Sequence, residues 1–190
     1  MILKCFVCKL IEYKIISEDD RELYLYGLQL GLVTIQNVLI TIILGVLFQN
    51  LISTIAFLIA YIPLRSYAGG YHATSSKKCF IYSLGLIFLI EIYFTHSLGV
   101  RDTVLLLGGA IYIIYKYAPL QSENKSLSYE ETIRYADIVK KVLCLEVSVV
   151  IFFWIINVWS VVCGVSAAII VVSILLIVGI ILKSVKNLDS

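Results

Sequence analysis

Six long apolar runs separated by short polar segments dominate the chain: Gly27–Phe48, Leu51–Leu64, Phe80–Leu98, Thr103–Ala118, Ile138–Ile156 and Val161–Leu182. Runs of this kind are read as membrane-spanning helices, since only a helix satisfies its own backbone hydrogen bonds in lipid. The second run is short: at 1.5 Å per residue it reaches only ~21 Å, against a hydrocarbon core of ~30 Å. It is expected as a thin span, a span that borrows flanking residues, or a re-entrant segment. The end of the fifth run and the whole of the sixth come from one charge-free stretch, Val147–Leu182. As a single helix it would extend ~54 Å, so it must fold back, with Asn157–Ser160 as the expected turn. The fold class expected is therefore an all-α integral membrane protein with about six transmembrane helices.

Composition removes the soluble alternative. Of 190 residues 61% are hydrophobic and 15% charged, and the mean hydropathy is +0.98. A soluble domain of this size cannot hide so much apolar surface. The length leaves room for one membrane-embedded domain, 1–190, and no large soluble lobe. Lys4 and Lys9 interrupt the first apolar stretch and no small-residue cleavage site follows. Residues 1–22 are thus expected as an interfacial helix carrying Lys4, Lys9, Lys14 and Arg21, and not as a removed leader.

Charge then gives orientation. With the N-terminus in the cytoplasm and six spans threaded, Arg101 alone of the 15 basic residues falls outside. This is the positive-inside pattern, and it predicts cytoplasmic N- and C-termini. It also accounts for the basic residues without a nucleic-acid partner, and the net charge is only +2.

One polar segment differs from the rest. Between the second and third runs the chain reads Arg65-Ser66-Tyr67-Ala68-Gly69-Gly70-Tyr71-His72-Ala73-Thr74-Ser75-Ser76-Lys77-Lys78-Cys79. In one continuous helix His72 and Cys79 would lie ~10 Å apart, beyond the ~3 Å reach of a base on a nucleophile. The segment must turn between them, and Thr74, Ser75 and Ser76 suit a turn. Ser76 as N-cap would put Cys79 in the first helical turn, where free backbone N–H groups and the dipole favour a thiolate. Lys77 and Lys78 add positive potential. His72 can serve as general base or as the imidazolium of an ion pair. Gly69 and Gly70 permit close approach of a substrate chain and can offer N–H groups to an oxyanion. Arg65 can hold a substrate carboxylate. The plainer reading of the same residues is an ordinary basic loop, with Gly-Gly as a turn and Arg65, Lys77 and Lys78 as topology anchors.

The run R-x-x-x-G-G-x-H-A-x5-C at 65–79 resembles the signature of the accessory gene regulator B (AgrB) family of Gram-positive membrane endopeptidases. Tyr26-Gly27-Leu28-Gln29 and Ala118-Pro119 with Asn124-Lys125 are similar to two further family motifs. The resemblance implies that Cys79 is the nucleophile and His72 the base, and that Gln29 lies at about their membrane depth to orient His72 or bind the oxyanion. It implies a catalytic cytoplasmic loop at 65–79 and a second cytoplasmic loop at 119–137. It further implies an AgrD-like quorum-sensing propeptide as substrate. Cleavage through a Cys acyl-thioester, then ring closure to a thiolactone or lactone, would follow. The setting would be the plasma membrane of a Gram-positive bacterium, with a homodimer as the expected assembly.

No cofactor and no metal are expected. His96 would lie ~25 Å from Cys79 along one helix, too far for a ligand cluster. Cys5 and Cys8 read as one turn of helix face, and Cys144 and Cys163 as small packing residues. Gly164 and Ala168 have the small-x-x-x-small spacing that seats a partner helix, in a dimer for example. Glu91 and Glu146 fall inside spans and are functional suspects on that ground. They keep two other classes open: a small transporter or peptide exporter using Glu91, Glu146, Gln36 and Asn37, and a non-catalytic membrane scaffold.

Overall fold

The computed structural model describes residues 2–70, 76–96, 100–120 and 128–188. Its regular elements are seven helices among these residues: α1 (Ile2–Glu12), α2 (Arg21–Leu47), α3 (Leu51–Ala68), α4 (Ser76–His96), α5 (Val100–Tyr117), α6 (Tyr129–Ile155) and α7 (Trp159–Leu188). Among the described residues three helices, α2, α3 and α7, are long and apolar enough to cross a membrane over Arg21–Leu47, Leu51–Ala68 and Trp159–Val185. Shorter apolar stretches, Phe80–Thr95 and Leu105–Tyr117, run through α4 and α5. Helix α6 is charged over its first half and, apart from Glu146, apolar over its second.

The helices reach beyond the apolar runs that announce them. The second run does not stop at Leu64. It continues through Arg65 to Ala68, giving 18 residues, or ~27 Å, so the helix takes in flanking residues. The connection after it narrows accordingly to 69–75. Helix α6 begins at Tyr129, nine residues before the apolar run. A capping box starts it there: the Ser128 hydroxyl accepts from Glu131 N–H, and Glu131 accepts from Ser128 N–H. The interfacial segment is a shorter helix than 1–22, ending at Glu12, with turns to Asp20 before α2 opens. The fold-back in the charge-free stretch falls at Ile156–Val158, where Asn157 takes a φ of 59°.

Helices α3 and α7 form the axis of the bundle and run parallel. Gly164 near the start of α7 meets Ser53 and Ala56 of α3, while Gly70 just past the end of α3 meets Leu175 of α7. Along α7 the buried residues Val162, Val165, Ile169, Val172 and Leu176 recur every three or four positions. Ser53, Phe57, Ala60, Leu64 and Ala68 do the same along α3. Helices α5 and α6 also pack on α7, whereas α2 packs on α1, α3 and α4. Lipid tails are as apolar as leucine, so close backbone approach at small residues has to drive such packing. Gly164 is spent in this way, inside the chain against α3, and Ala168 is fully buried.

A polar layer ties three helices at one end. An added Cβ on Gly45 of α2 would lie 2.5 Å from the Thr54 hydroxyl of α3. That hydroxyl donates to Glu91 Oε1 of α4 at 2.8 Å. The Asn50 amide donates to the Glu91 carbonyl at 3.3 Å and to the Thr95 hydroxyl at 3.2 Å. Glu91 is fully buried and serves as a cross-helix tie.

Candidate active site

The opposite end of the bundle gathers the basic residues and the Gly-Gly turn. Tyr67 at the end of α3 packs edge-on against Tyr135 near the start of α6, ring centroids 5.4 Å apart. Lys140 of α6 lies 5.1 Å over the ring of Tyr115 in α5. Arg65, Lys116, Lys140 and Lys141 thus share one end, as the charge pattern requires.

Helix α3 ends there because Gly69 and Gly70 adopt φ of 71° and 115°, which L side chains rarely take. The carbonyls left open at the helix end are satisfied from two sides. Leu120 N–H donates to Ala68 O at 2.9 Å, and the Arg65 guanidinium donates to Gly69 O. Gly69 and Leu120 form an isolated parallel bridge, so the segment after α5 acts as a clamp on the turn. An added Cβ on Gly69 would collide with the Leu120 carbonyl. Gly69→Val is therefore expected to lower stability by ~1–3 kcal/mol through overpacking and a forced backbone angle, read as a drop in the thermal midpoint in detergent.

The turn is also sunk into the apolar zone. A Cβ on Gly70 would sit 3.2 Å from the Leu175 carbonyl, in the middle of α7. The first charge on α7 is Lys183, eight residues or ~12 Å farther along the helix. Gly70 is buried. The segment leading into His72 therefore starts below the level where α7 becomes polar.

Helix α4 opens at Ser76, so the Cys79 backbone is the fourth helical residue and Lys77 and Lys78 share its first turn. His72 lies outside the described residues. Counted from the Gly45/Thr54/Glu91 layer at 1.5 Å per residue, Arg65 lies ~16 Å, Cys79 ~18 Å and Gln29 ~24 Å along their helices. The three therefore sit at the same end of the bundle, with Gln29 about one turn beyond the other two. Gln29 is exposed on α2, and the flanking Gly27 and Gly31 have nothing within 4 Å of an added Cβ. Because α4 is continuous, Glu91 and His96 are carried to the other end. Among the described residues no group of three or more His, Cys, Asp or Glu is placed to hold a metal.

The remaining intramembrane carboxyl, Glu146 of α6, is 6% exposed, and both its oxygens lack a hydrogen-bond partner among the described residues. Glu91 and Glu146 lie in different surroundings. Glu91 belongs to the polar layer, and Glu146 opens onto an apolar groove between α3 and α6. Cys5, Cys8 and Cys144 are exposed and Cys163 is half-buried. The Arg21 guanidinium lies 3.7 Å from the Cys8 sulfur. Sequence reasoning missed the clamp by Leu120 and the contact with Leu175. Pro119 was the only local signal for the first, and nothing in the sequence marks the second.

These features define a polytopic helical membrane protein with a recessed, glycine-built turn at its basic end. The family model for accessory gene regulator B matches residues 3–185, and the chain belongs to that family. AgrB-like protein 2 of Clostridium perfringens (strain 13 / Type A) is 30% identical over 139 residues, covering 66% of this chain and 64% of the relative. Accessory gene regulator protein B of Staphylococcus haemolyticus is 29% identical over 104 residues, 53% of this chain and 54% of the relative. An AgrB-like protein of Listeria monocytogenes (serovar 1/2a) is 27% identical over 119 residues, 60% of this chain and 58% of the relative. The matched part thus spans less than two thirds of each of these relatives. No solved structure matches the chain.

Proposed function

We propose that this protein is a membrane cysteine endopeptidase that cleaves an AgrD-like quorum-sensing propeptide. Family membership over 3–185, joined to the R-x-x-x-G-G-x-H-A-x5-C run, is the observation that carries the reading. The recessed Gly69–Gly70 turn and the position of Cys79 at the start of α4 support it. The Cys79 thiolate attacks a substrate carbonyl carbon, and N–H groups of Gly69 and Gly70 stabilise the oxyanion. The C–N bond then breaks, and the leaving amine takes its proton from the His72 imidazolium. The N-terminal part of the substrate stays on Cys79 as a thioester. A substrate thiol or hydroxyl next attacks that thioester, passes its proton to His72, and leaves as a thiolactone or lactone with Cys79 restored. Little energy separates two thioesters, so the site chiefly has to exclude water and hold the attacking group close. Lys77, Lys78 and Arg65 give the face a positive potential suited to an acidic tail. Gln29 is proposed to orient His72 or bind the oxyanion. The reading places the protein in the plasma membrane of a Gram-positive bacterium, termini inside, as a homodimer.

The test is to trap the acyl-enzyme. After mixing with propeptide and quenching in acid, the intact chain should gain the mass of the N-terminal fragment, and neutral hydroxylamine should remove it. No adduct in a preparation that cleaves would overturn the nucleophile assignment. His72→Ala should slow adduct formation at least ~100-fold, with partial recovery at higher pH as the thiol ionises unaided.

A further inference from the structure

Glu146 sits where nothing in the bundle uses it. The groove between α3 and α6 has a volume of about 460 Å³, and apart from Glu146 its lining is apolar, including Ile55, Ile59, Pro63, Leu145 and Val149. Neither carboxyl oxygen has a partner among the described residues. An apolar groove lined by one buried, unpartnered carboxyl complements an apolar segment that carries a donor or a cation. Along α3 the groove runs from Ile52 to Pro63, ~16 Å, and its Pro63 end lies two residues, ~3 Å of rise, from Arg65. It therefore leads from the polar-layer end of the bundle toward the Gly69–Gly70 end.

We infer that this groove is the docking site for the apolar segment of the peptide substrate, and that Glu146 receives a lysine, arginine or other donor side chain from that segment. The inference rests on the peptidase reading for the identity of the occupant. Bound there, the substrate would thread from the groove past Arg65 toward Cys79, so Glu146 is a specificity residue remote from the reacting atoms. Its contribution is to substrate affinity, through a charge-assisted hydrogen bond in a low-dielectric wall.

Two measurements test this. In the reconstituted full-length protein, Glu146→Leu should raise KM for the propeptide at least tenfold with kcat within twofold. A shortened peptide lacking the apolar segment should be cleaved equally by wild type and variant. Equal loss on both peptides would reduce Glu146 to a structural role and overturn the inference, as would an unchanged KM. Independently, a photo-crosslinking residue in place of Leu145 in a Cys79→Ala background should attach to the propeptide. Attachment only to a second copy of this chain, or only to lipid, would overturn it too. Wild-type cleavage is run alongside: if no propeptide is cleaved, the peptidase reading itself fails, whereas cleavage without groove dependence sinks the docking site alone.

Discussion

Cys79→Ala is expected to abolish propeptide cleavage, lowering the rate by ~10⁴-fold or more, because removing the nucleophile of a covalent mechanism leaves only binding and oxyanion stabilisation. Alanine is a strong helix former, and position 79 is in the first turn of α4. The substitution should therefore leave membrane insertion and the thermal midpoint unchanged. The measurement is propeptide cleavage in proteoliposomes, paired with a melting curve of the same preparation. Substantial residual cleavage by a stable variant would mean that another group attacks. Cys79→Ser should be nearly as inactive, since a serine hydroxyl at neutral pH lacks the anionic character that the start of a helix favours in a thiol. The four other cysteines serve as controls. Replacing Cys5, Cys8, Cys144 or Cys163 with alanine should leave cleavage within about twofold, as surface or packing changes do.

Gly164→Leu is expected to cost the folded bundle ~3 kcal/mol, at the upper end of overpacking penalties. A Cβ at this position would collide with the Ser53 carbonyl, lie 2.8 Å from the Ala56 Cβ and lie 3.0 Å from the Phe57 amide nitrogen. Two of these three are backbone atoms, which cannot rotate away as a side chain can. Relief requires prying α7 from α3, the contact around which the other helices are arranged. The thermal midpoint in detergent should fall steeply, with a smaller fall for Gly164→Ala. Gly108→Ala is the matched control. Nothing lies within 4 Å of its added Cβ, and alanine is the better helix former, so stability should hold or rise slightly. If Gly164→Leu melts with wild type, the α3–α7 contact is not the axis of this fold.

The candidate site was legible in one respect and hidden in another. The run from Arg65 to Cys79 stands out because polar residues between two apolar runs are few and of unusual type. Its reach was harder to see. Arg65 through Ala68 belong to α3, since Pro63 and Arg65 look like helix-ending polar residues yet are carried inside a continuous helix. Arg65 spends one of its donors on the Gly69 carbonyl, so it positions the turn, a role its charge alone did not reveal. Ser128 and Glu131 show the reverse. Their capping spacing was present in the sequence and marks the start of α6 better than hydropathy does, because capping answers to backbone donors and not to lipid.

By itself the sequence determined that the chain is helical and membrane-embedded, with its basic residues at one end. Lipid leaves each span to satisfy its own backbone, so length and apolarity suffice to announce a helix. The tertiary structure decided which helices touch and how deep the Gly69–Gly70 turn lies. In lipid an apolar side chain gains nothing by facing a neighbour in place of a tail, so hydropathy carries no face and no partner. Those choices are made by the fit of a small residue such as Gly164 against a neighbouring backbone, and by single contacts such as Leu120 on Gly69 and Leu175 on Gly70, which exist only once the bundle is assembled.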